Sequence, residues 1–280
     1  NDLFNYLLQK VIEDKNVEII EEDIEDITKD KDSTKISLSS GKSYSTKLLI
    51  LTDGKNKFTS KFTKSQFIKK PFDQTALSID SHVKRNYQNT AYQFFTKDGP
   101  LALLPVNNHR SSFVWSLSDN SEILDFSKEK IKNEIYKYTK MYIEEPIINS
   151  IHKHKLVFSF SKNMTCKNVI LLGEAAHIVH PIAGQGFNLT LKDLNALYKI
   201  LDRYLSLGYN LSHEFILKEF EKQRIPDNTL FSFSTMFMSD AFFSKNDLIN
   251  KSIESSFKIL NRSPFIKKKI MKSATGREIF

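Results

Sequence analysis

"GEAAHIVHPIAGQGFNLTLKD", residues 173–193, sets two acids, two histidines, three glycines and a proline between two apolar segments. The residues before it, "NVILL" (168–172), read as a buried strand. After it, Leu191, Leu194, Leu197, Tyr198, Leu201 and Leu205 recur at helical spacing. A strand, a glycine-rich loop and a helix in that order form the repeating unit of α/β sheets.

Three chemistries fit such a loop. Glu174, His177 and His180 stand three apart, and on a helix they would share a face and could hold zinc. Pro181, Gly184 and Gly186 follow at once, and a helix does not readily run through them. His82, His109, His152 and His154 offer no marked spacing for a fourth ligand, so no metal is expected. The glycines could instead serve only a tight turn. The third reading is a nucleotide cradle. Glu174 stands at the carboxyl edge of the sheet, where α/β proteins place ligands, and its carboxylate can accept hydrogen bonds from ribose hydroxyls. Bare backbone N–H groups and the positive end of a helix starting near Asn188 favour an anion at the same spot.

Further out, "KLLILT" (47–52) is almost continuously apolar, as a strand covered on both faces would be. Strands are expected near 17–20, 24–28, 34–39 and 46–52, with Ser40–Lys42 as a turn. From Thr75 to about Leu117, short alternating runs between Asn/Asp/Gly turns predict an antiparallel sheet. Residues 127–143 and 146–151 read as helical, and "KLVFSFS" (155–161) as a strand. Residues 212–280 read as helices broken at Pro226, Ser244–Asp247 and Pro264.

The expected fold is therefore α/β with an α+β insertion: a Rossmann-like domain interrupted by an antiparallel sheet and followed by helices. The expected divisions are 1–62 and 161–206 for the dinucleotide domain, 63–160 for the sheet, and 207–280 for the C-terminal helices.

Composition narrows the class. The net charge of +8 is carried mostly by lysines scattered among acids, without the dense basic, aromatic-interleaved stripe of a nucleic-acid binder. Cys166 is the single cysteine, so no intrachain disulfide forms, and a reducing cytoplasm fits. No apolar run approaches the roughly 20 residues of a membrane span. The chain opens at Asn1 with an amphipathic helix, Leu3, Leu7, Leu8, Val11 and Ile12 on one side, and it is expected to begin inside a longer protein.

"GEAAHIVHPIAGQGFNLTLKDLNAL" resembles the second FAD motif of class A flavoprotein aromatic hydroxylases, with Gly173, Ala175, Ala176, His177, Pro181, Gly184, Gly186, Asn188 and Asp193 in register. "HPIAGQGFNL" is most similar to the ubiquinone-biosynthesis branch, the polyprenyl-phenol hydroxylases. "LLILTDGKNK", "GPLALLPVNNHRSSFVWSL" and "FEKQRIPDNTLFSFSTMF" resemble further segments of that branch, in the same order. Glu174 stands for the usual Asp, Thr190 and Lys192 for Gly and Arg, and Lys57 and Ser60 for Ser and Arg. The family's opening G-x-G-x-x-G does not occur in this sequence, so an N-terminal part is expected to be absent and FAD binding by this chain alone to be weakened.

The resemblance implies an FAD-dependent monooxygenase that hydroxylates a polyprenylated phenol through NAD(P)H-reduced flavin, O2 and a C4a-hydroperoxyflavin. It implies cofactor contacts at Asp53, Gly54, Gly173, Glu174, Pro181, Gly184, Gln185, Gly186, Phe187 and Asn188. It implies a substrate wall in the middle sheet, for which Leu101, Leu103, Pro105, Phe113 and Trp115 are the candidates, with plain core packing as the alternative for each. No catalytic base is legible, and His177 reads as a structural hydrogen-bonding histidine. The partners implied are the phenol, a ubiquinone-biosynthesis complex and peripheral contact with the inner face of an anionic cytoplasmic membrane, through "LFSFSTMFMSDAFF" (230–243) and "FIKKKIMK" (265–272). The alternatives are a flavin hydroxylase of another aromatic substrate and a non-catalytic scaffold of a quinone-biosynthesis assembly.

Overall fold

The computed structural model describes residues 2–29, 33–54, 58, 67–84, 90–211, 213–243, 255–256, 258–259 and 262–268. Lys57, Ser60, the boundary at 62/63 and the break at 244–247 lie outside the described residues.

Among the described residues the chain is mixed α/β, with three sheets and long C-terminal helices. Helix α1 (Asp2–Glu13) leads to an antiparallel sheet of β1 (Ile24–Lys29), β2 (Thr34–Leu38) and β3 (Ser43–Thr46). The expected strand at 17–20 does not form: Val17, Ile19 and Ile20 are exposed and pair with no strand among the described residues.

The element that decides the fold is a parallel pair. β4 (Leu49–Leu51) lies beside β11 (Val169–Leu171), with Leu49 opposite Val169 and Leu51 opposite Leu171. Parallel strands need a long crossover, and this one holds the whole antiparallel insertion. Because the strands are parallel, their carboxyl ends share one edge, and the Leu172 N–H donates to the Leu51 carbonyl at 2.9 Å. The two-residue β10 (Thr165–Cys166) closes the other side of β11. β11 is buried throughout, whereas Ile50 of β4 is 40% exposed, so β4 is covered less completely than its apolar run suggested.

The insertion supplies five strands of a six-stranded sheet. β5 (Phe67–His82), β6 (Tyr92–Thr96), β7 (Gly99–Pro105), β8 (Arg110–Ser118) and β9 (Ile147–Ser161) are joined at one edge by β12 (His177–Ile178), which belongs to the glycine-rich loop. Residues 146–151 are thus not helical. From Ile147 on they begin β9 and pair with β5, Ile151 with Ile79, Ser150 with Asp80, Ile148 with Ser81 and Ile147 with His82.

Helix α2 (Lys128–Thr139) is capped by the Ser127 hydroxyl, which accepts the Lys130 N–H. It covers one face of the sheet through Ile131 and Ile135. Leu101, Leu103, Phe113 and Trp115 point into that covered core and are completely buried, each worth about 1.5–3 kcal/mol. These four therefore pack as core and do not line the cleft described below, and Pro105 is half-buried at the end of β7. In an alternating sheet one face is covered, and α2 covers theirs.

Helix α3 (Gly186–Ser206) packs on helix α4 (Glu214–Phe242). Leu191, Leu194, Tyr198 and Leu205 of its apolar stripe are exposed, and the buried face is Leu189, Asp193, Ala196, Leu197 and Ile200. Asp193 turns inward because it has partners there. α4 runs unbroken through Pro226. Arg224 and Asn228, one on each side of that proline, are buried and bonded to Asp193.

Candidate functional site

The site is assembled where β4 and β11 end. Asp53 and Gly54 follow β4, and Gly173 and Glu174 follow β11. A Cβ on Gly54 would stand 2.5 Å from the Glu174 backbone oxygen, so only glycine lets the first turn touch the second. Two motifs far apart in sequence thus meet at one sheet edge. Asp53 and Glu174 are both exposed there. Gly173 has φ +61, with Thr190 packed 3.1 Å from where its side chain would be.

The loop then crosses to the large sheet. His177 and Ile178 pair with β9, and the Ser161 N–H donates to the Ala176 carbonyl at 2.8 Å. A short 3-10 turn, Pro181–Ala183, ends at Gly184, whose φ of +60 demands a left-handed residue. Apart from its chain neighbours, no described residue lies within 4 Å of where a Gly184 Cβ would stand, so this backbone faces open space. α3 begins two residues later without a capping side chain from Gln185, and Phe187 is 58% exposed. The N–H groups of a helix's first turn have no intrahelical partner, so they form a ready anion site.

Two histidines fix the loop, and neither is placed as a metal ligand. The His177 Nε2 lies 2.6 Å from Asp193 Oδ2, with both residues buried. Arg224 Nε and Asn228 Nδ2 donate to Asp193 Oδ1 at 2.7 and 3.0 Å. Burial alone would raise the Asp193 carboxyl, but the bonds from His177, Arg224 and Asn228 outweigh it and hold the group below the usual carboxylate range. His180 is 1% exposed and uses both nitrogens. Its Nδ1 accepts the Ile182 N–H at 3.0 Å, which leaves Nε2 to donate to Gln74 Oε1 at 2.7 Å. Burial pushes its imidazole down to about 4, opposed by the nearby Asp240 carboxylate. Among the described residues no group of three or more metal-ligating side chains converges.

A cleft of about 1030 Å³ opens beside Gln74. Phe72, Phe95, Phe242 and Phe243 bring aromatic surface to it, and Asp73, Asp98 and Glu122 bring charge. The Phe95 and Phe242 rings stack at 4.3 Å, so the end of α4 forms one side. Sequence reasoning missed this cleft, because its lining comes from a strand bulge, a hairpin turn and a helix end. It also missed Gln74. Arg224 and Asn228 lay in a motif that had been noticed, but their inward direction was not readable.

The residues present fit the flavin end of FAD. A carboxylate, open glycine backbone and uncapped amide groups lie along one loop, matching a ligand with hydroxyls at one end and a carbonyl-rich ring at the other. They offer no counterpart to a pyrophosphate-binding glycine loop, which the sequence does not contain.

Comparison with known proteins gives the same direction. The FAD binding domain family matches residues 23–209. The chain is 25% identical over 337 aligned residues to the mitochondrial ubiquinone biosynthesis monooxygenase COQ6 of Dictyostelium discoideum, covering 100% of this chain and 68% of that protein. It is 27% identical over 217 residues to the 3-demethoxyubiquinol 3-hydroxylase of Escherichia coli K12, covering 77% of this chain and 55% of that one. Against most of the curated relatives it spans about half their length, as with the Rhodospirillum rubrum ubiquinone hydroxylase UbiL at 48%. The crystal structure of p-nitrophenol 4-monooxygenase PnpA from Pseudomonas putida superposes with a TM-score of 0.77 over 96% of this chain and 70% of that one. At 15% identity, that likeness speaks for the fold. Among the described residues no helix is long and apolar enough to cross a membrane.

Proposed function

The chain belongs to the FAD binding domain family, and from that premise we propose that it is the flavin-ring and substrate part of an FAD-dependent monooxygenase hydroxylating a polyprenylated phenol in ubiquinone biosynthesis. The observation that carries the reading is the loop from Gly173 to Asn188, which combines an exposed carboxylate, open backbone at Gly184 and an uncapped helix start. The names of the COQ6 and 3-demethoxyubiquinol hydroxylase relatives support the pathway.

When bound, the flavin supplies the redox chemistry, taking hydride from NAD(P)H and activating O2. The protein's part is to bind, orient and exclude water. Glu174 accepts hydrogen bonds from cofactor hydroxyls, with Asp53 and Gly54 closing the same edge. Pro181 fixes the loop direction, and the amides of Gly186, Phe187 and Asn188 would donate to the bound ring, whose negative charge a helix start would stabilise. Gly184 and Gln185 give the ring backbone approach. The cleft beside Gln74 takes the phenol and the start of its apolar tail, lined by Phe72, Phe95, Phe242 and Phe243. Leu101, Leu103, Phe113, Trp115 and Pro105 act behind it as the rigid core of the wall.

Peripheral membrane contact belongs to the same proposal. Leu230 and Phe237 are each 73% exposed on α4, and Phe265 is 79% exposed beside Lys267 and Lys268. Such a face suits an anionic lipid surface from which a tailed phenol would come.

The deciding experiment titrates the purified chain with FAD, following flavin absorbance and fluorescence, and then measures phenol hydroxylation with NAD(P)H. Binding with a perturbed flavin spectrum and turnover of a short-tailed polyprenyl phenol is the expected result. Flavin binding with turnover of other phenols only would leave the hydroxylase and remove the pathway. Because this chain holds no pyrophosphate-binding glycine loop, weak binding is expected, and no flavin uptake even at high FAD would overturn the reading in favour of a scaffold.

A further inference from the structure

We propose that Gln74 is a positioning residue for the glycine-rich loop: through His180 it sets the backbone at Ile182, and so ties the loop's shape to the wall of the cleft. The placement of Gln74 is costly, and its surroundings enforce it. Between Pro71 and Thr75, β5 bulges, so that four residues of β5 advance against two of β9. Asp73, at the centre, has φ +52, a left-handed conformation that non-glycine residues rarely adopt. Asp119 pins both sides of the bulge: its N–H donates to the Asp73 carbonyl at 3.0 Å, and its carboxylate accepts from the Thr75 hydroxyl at 2.7 Å. Bulges of this kind re-aim a side chain near a site.

The re-aimed side chain is Gln74, 4% exposed, and its amide is fully specified. Its Nε2 donates to Ser239 Oγ of α4 at 3.2 Å, which directs Oε1 toward His180. Oε1 accepts from His180 Nε2, so Nδ1 keeps the lone pair that receives the Ile182 N–H. Phe72, on the other side of Asp73, meets the His180 ring edge-on at 4.7 Å and blocks its rotation. Phe72 and Gln74 both line the cleft. Four segments are therefore joined through one amide: the bulge, the loop, α4 and the cleft wall. That the loop serves a flavin rests on the proposed function, but the tie itself does not.

The test is hydrogen exchange by mass spectrometry on the peptide spanning Val179–Gly186, in wild type, Gln74→Met and Ser239→Ala. Gln74→Met keeps the size and removes the acceptor. Exchange there is expected to rise about tenfold, the loss of one buried hydrogen bond. Ser239→Ala, which removes only the hydroxyl that orients the amide, is expected to give a smaller rise at the same peptide, and the double variant no more than Gln74→Met alone. FAD titration of the same proteins is expected to show about tenfold weaker binding for Gln74→Met. If folded Gln74→Met and Ser239→Ala both exchange like wild type at this peptide, the proposal is overturned. If Gln74→Met does not fold, the Ser239→Ala result decides. If wild type itself binds no FAD, the proposed function fails while the exchange result still decides the tie.

Discussion

Acid should weaken this protein first at His180. Its imidazole stands at about 4 in the folded chain against an ordinary 6.5, because burial disfavours its charged form. Between those values the unfolded chain binds the proton that the folded chain refuses. The contribution is therefore fully favourable above about pH 6.5, falls as pH drops, and is exhausted near pH 4. A gap of about 2.5 between the two values, at roughly 1.4 kcal/mol for each, amounts to about 3.5 kcal/mol in full, of which about 3 kcal/mol is lost by pH 4. Protonation would also put a hydrogen on Nδ1, where Ile182 already donates, so the loop should loosen with it. The neighbours are Asp240, which opposes the effect, and Lys70, paired with Asp240 at 2.8 Å. The assay is urea unfolding from about pH 7.5 to about pH 4, for wild type and His180→Gln. Asp80, Asp119 and Asp193 lie below the carboxylate range and are common to both proteins, so they cancel in the difference. The stability advantage of wild type should shrink by about 3 kcal/mol across the window. A difference that does not change with pH would refute the assignment of His180 as a buried neutral acceptor.

Gly54→Ala should cost about 1–3 kcal/mol, since its Cβ would press the Glu174 backbone oxygen from 2.5 Å. Thermal denaturation should rank it below Gly184→Ala, whose Cβ meets open space and whose cost of about 1 kcal/mol is backbone strain alone. Arg224→Met should cost about 3–5 kcal/mol, because the Asp193 carboxylate stays buried without its cation. Adding Asp193→Asn should recover part of that loss, and a double-mutant cycle by denaturant unfolding measures the coupling.

The amino-acid sequence by itself determined the strand–loop–helix unit. The apolar run at 168–172, the glycines at 173, 184 and 186 and the apolar recurrence beyond them are local signals: Gly173 and Gly184 take positive φ, and α3 starts at Gly186, two residues before the expected Asn188. Periodicity also placed Leu101, Leu103, Phe113 and Trp115 on a shared face. It did not say which face, because alternation marks two sides of a strand and only a covering element, here α2, chooses between them. Tertiary structure alone turned Asp193 inward, since its partners His177, Arg224 and Asn228 come from a loop and from another helix. Helix α4 also runs on through Pro226, where local propensity places a break. Gln74 was illegible for the same reason. A glutamine in a strand is unremarkable until a bulge aims it at a histidine 106 residues away in the chain.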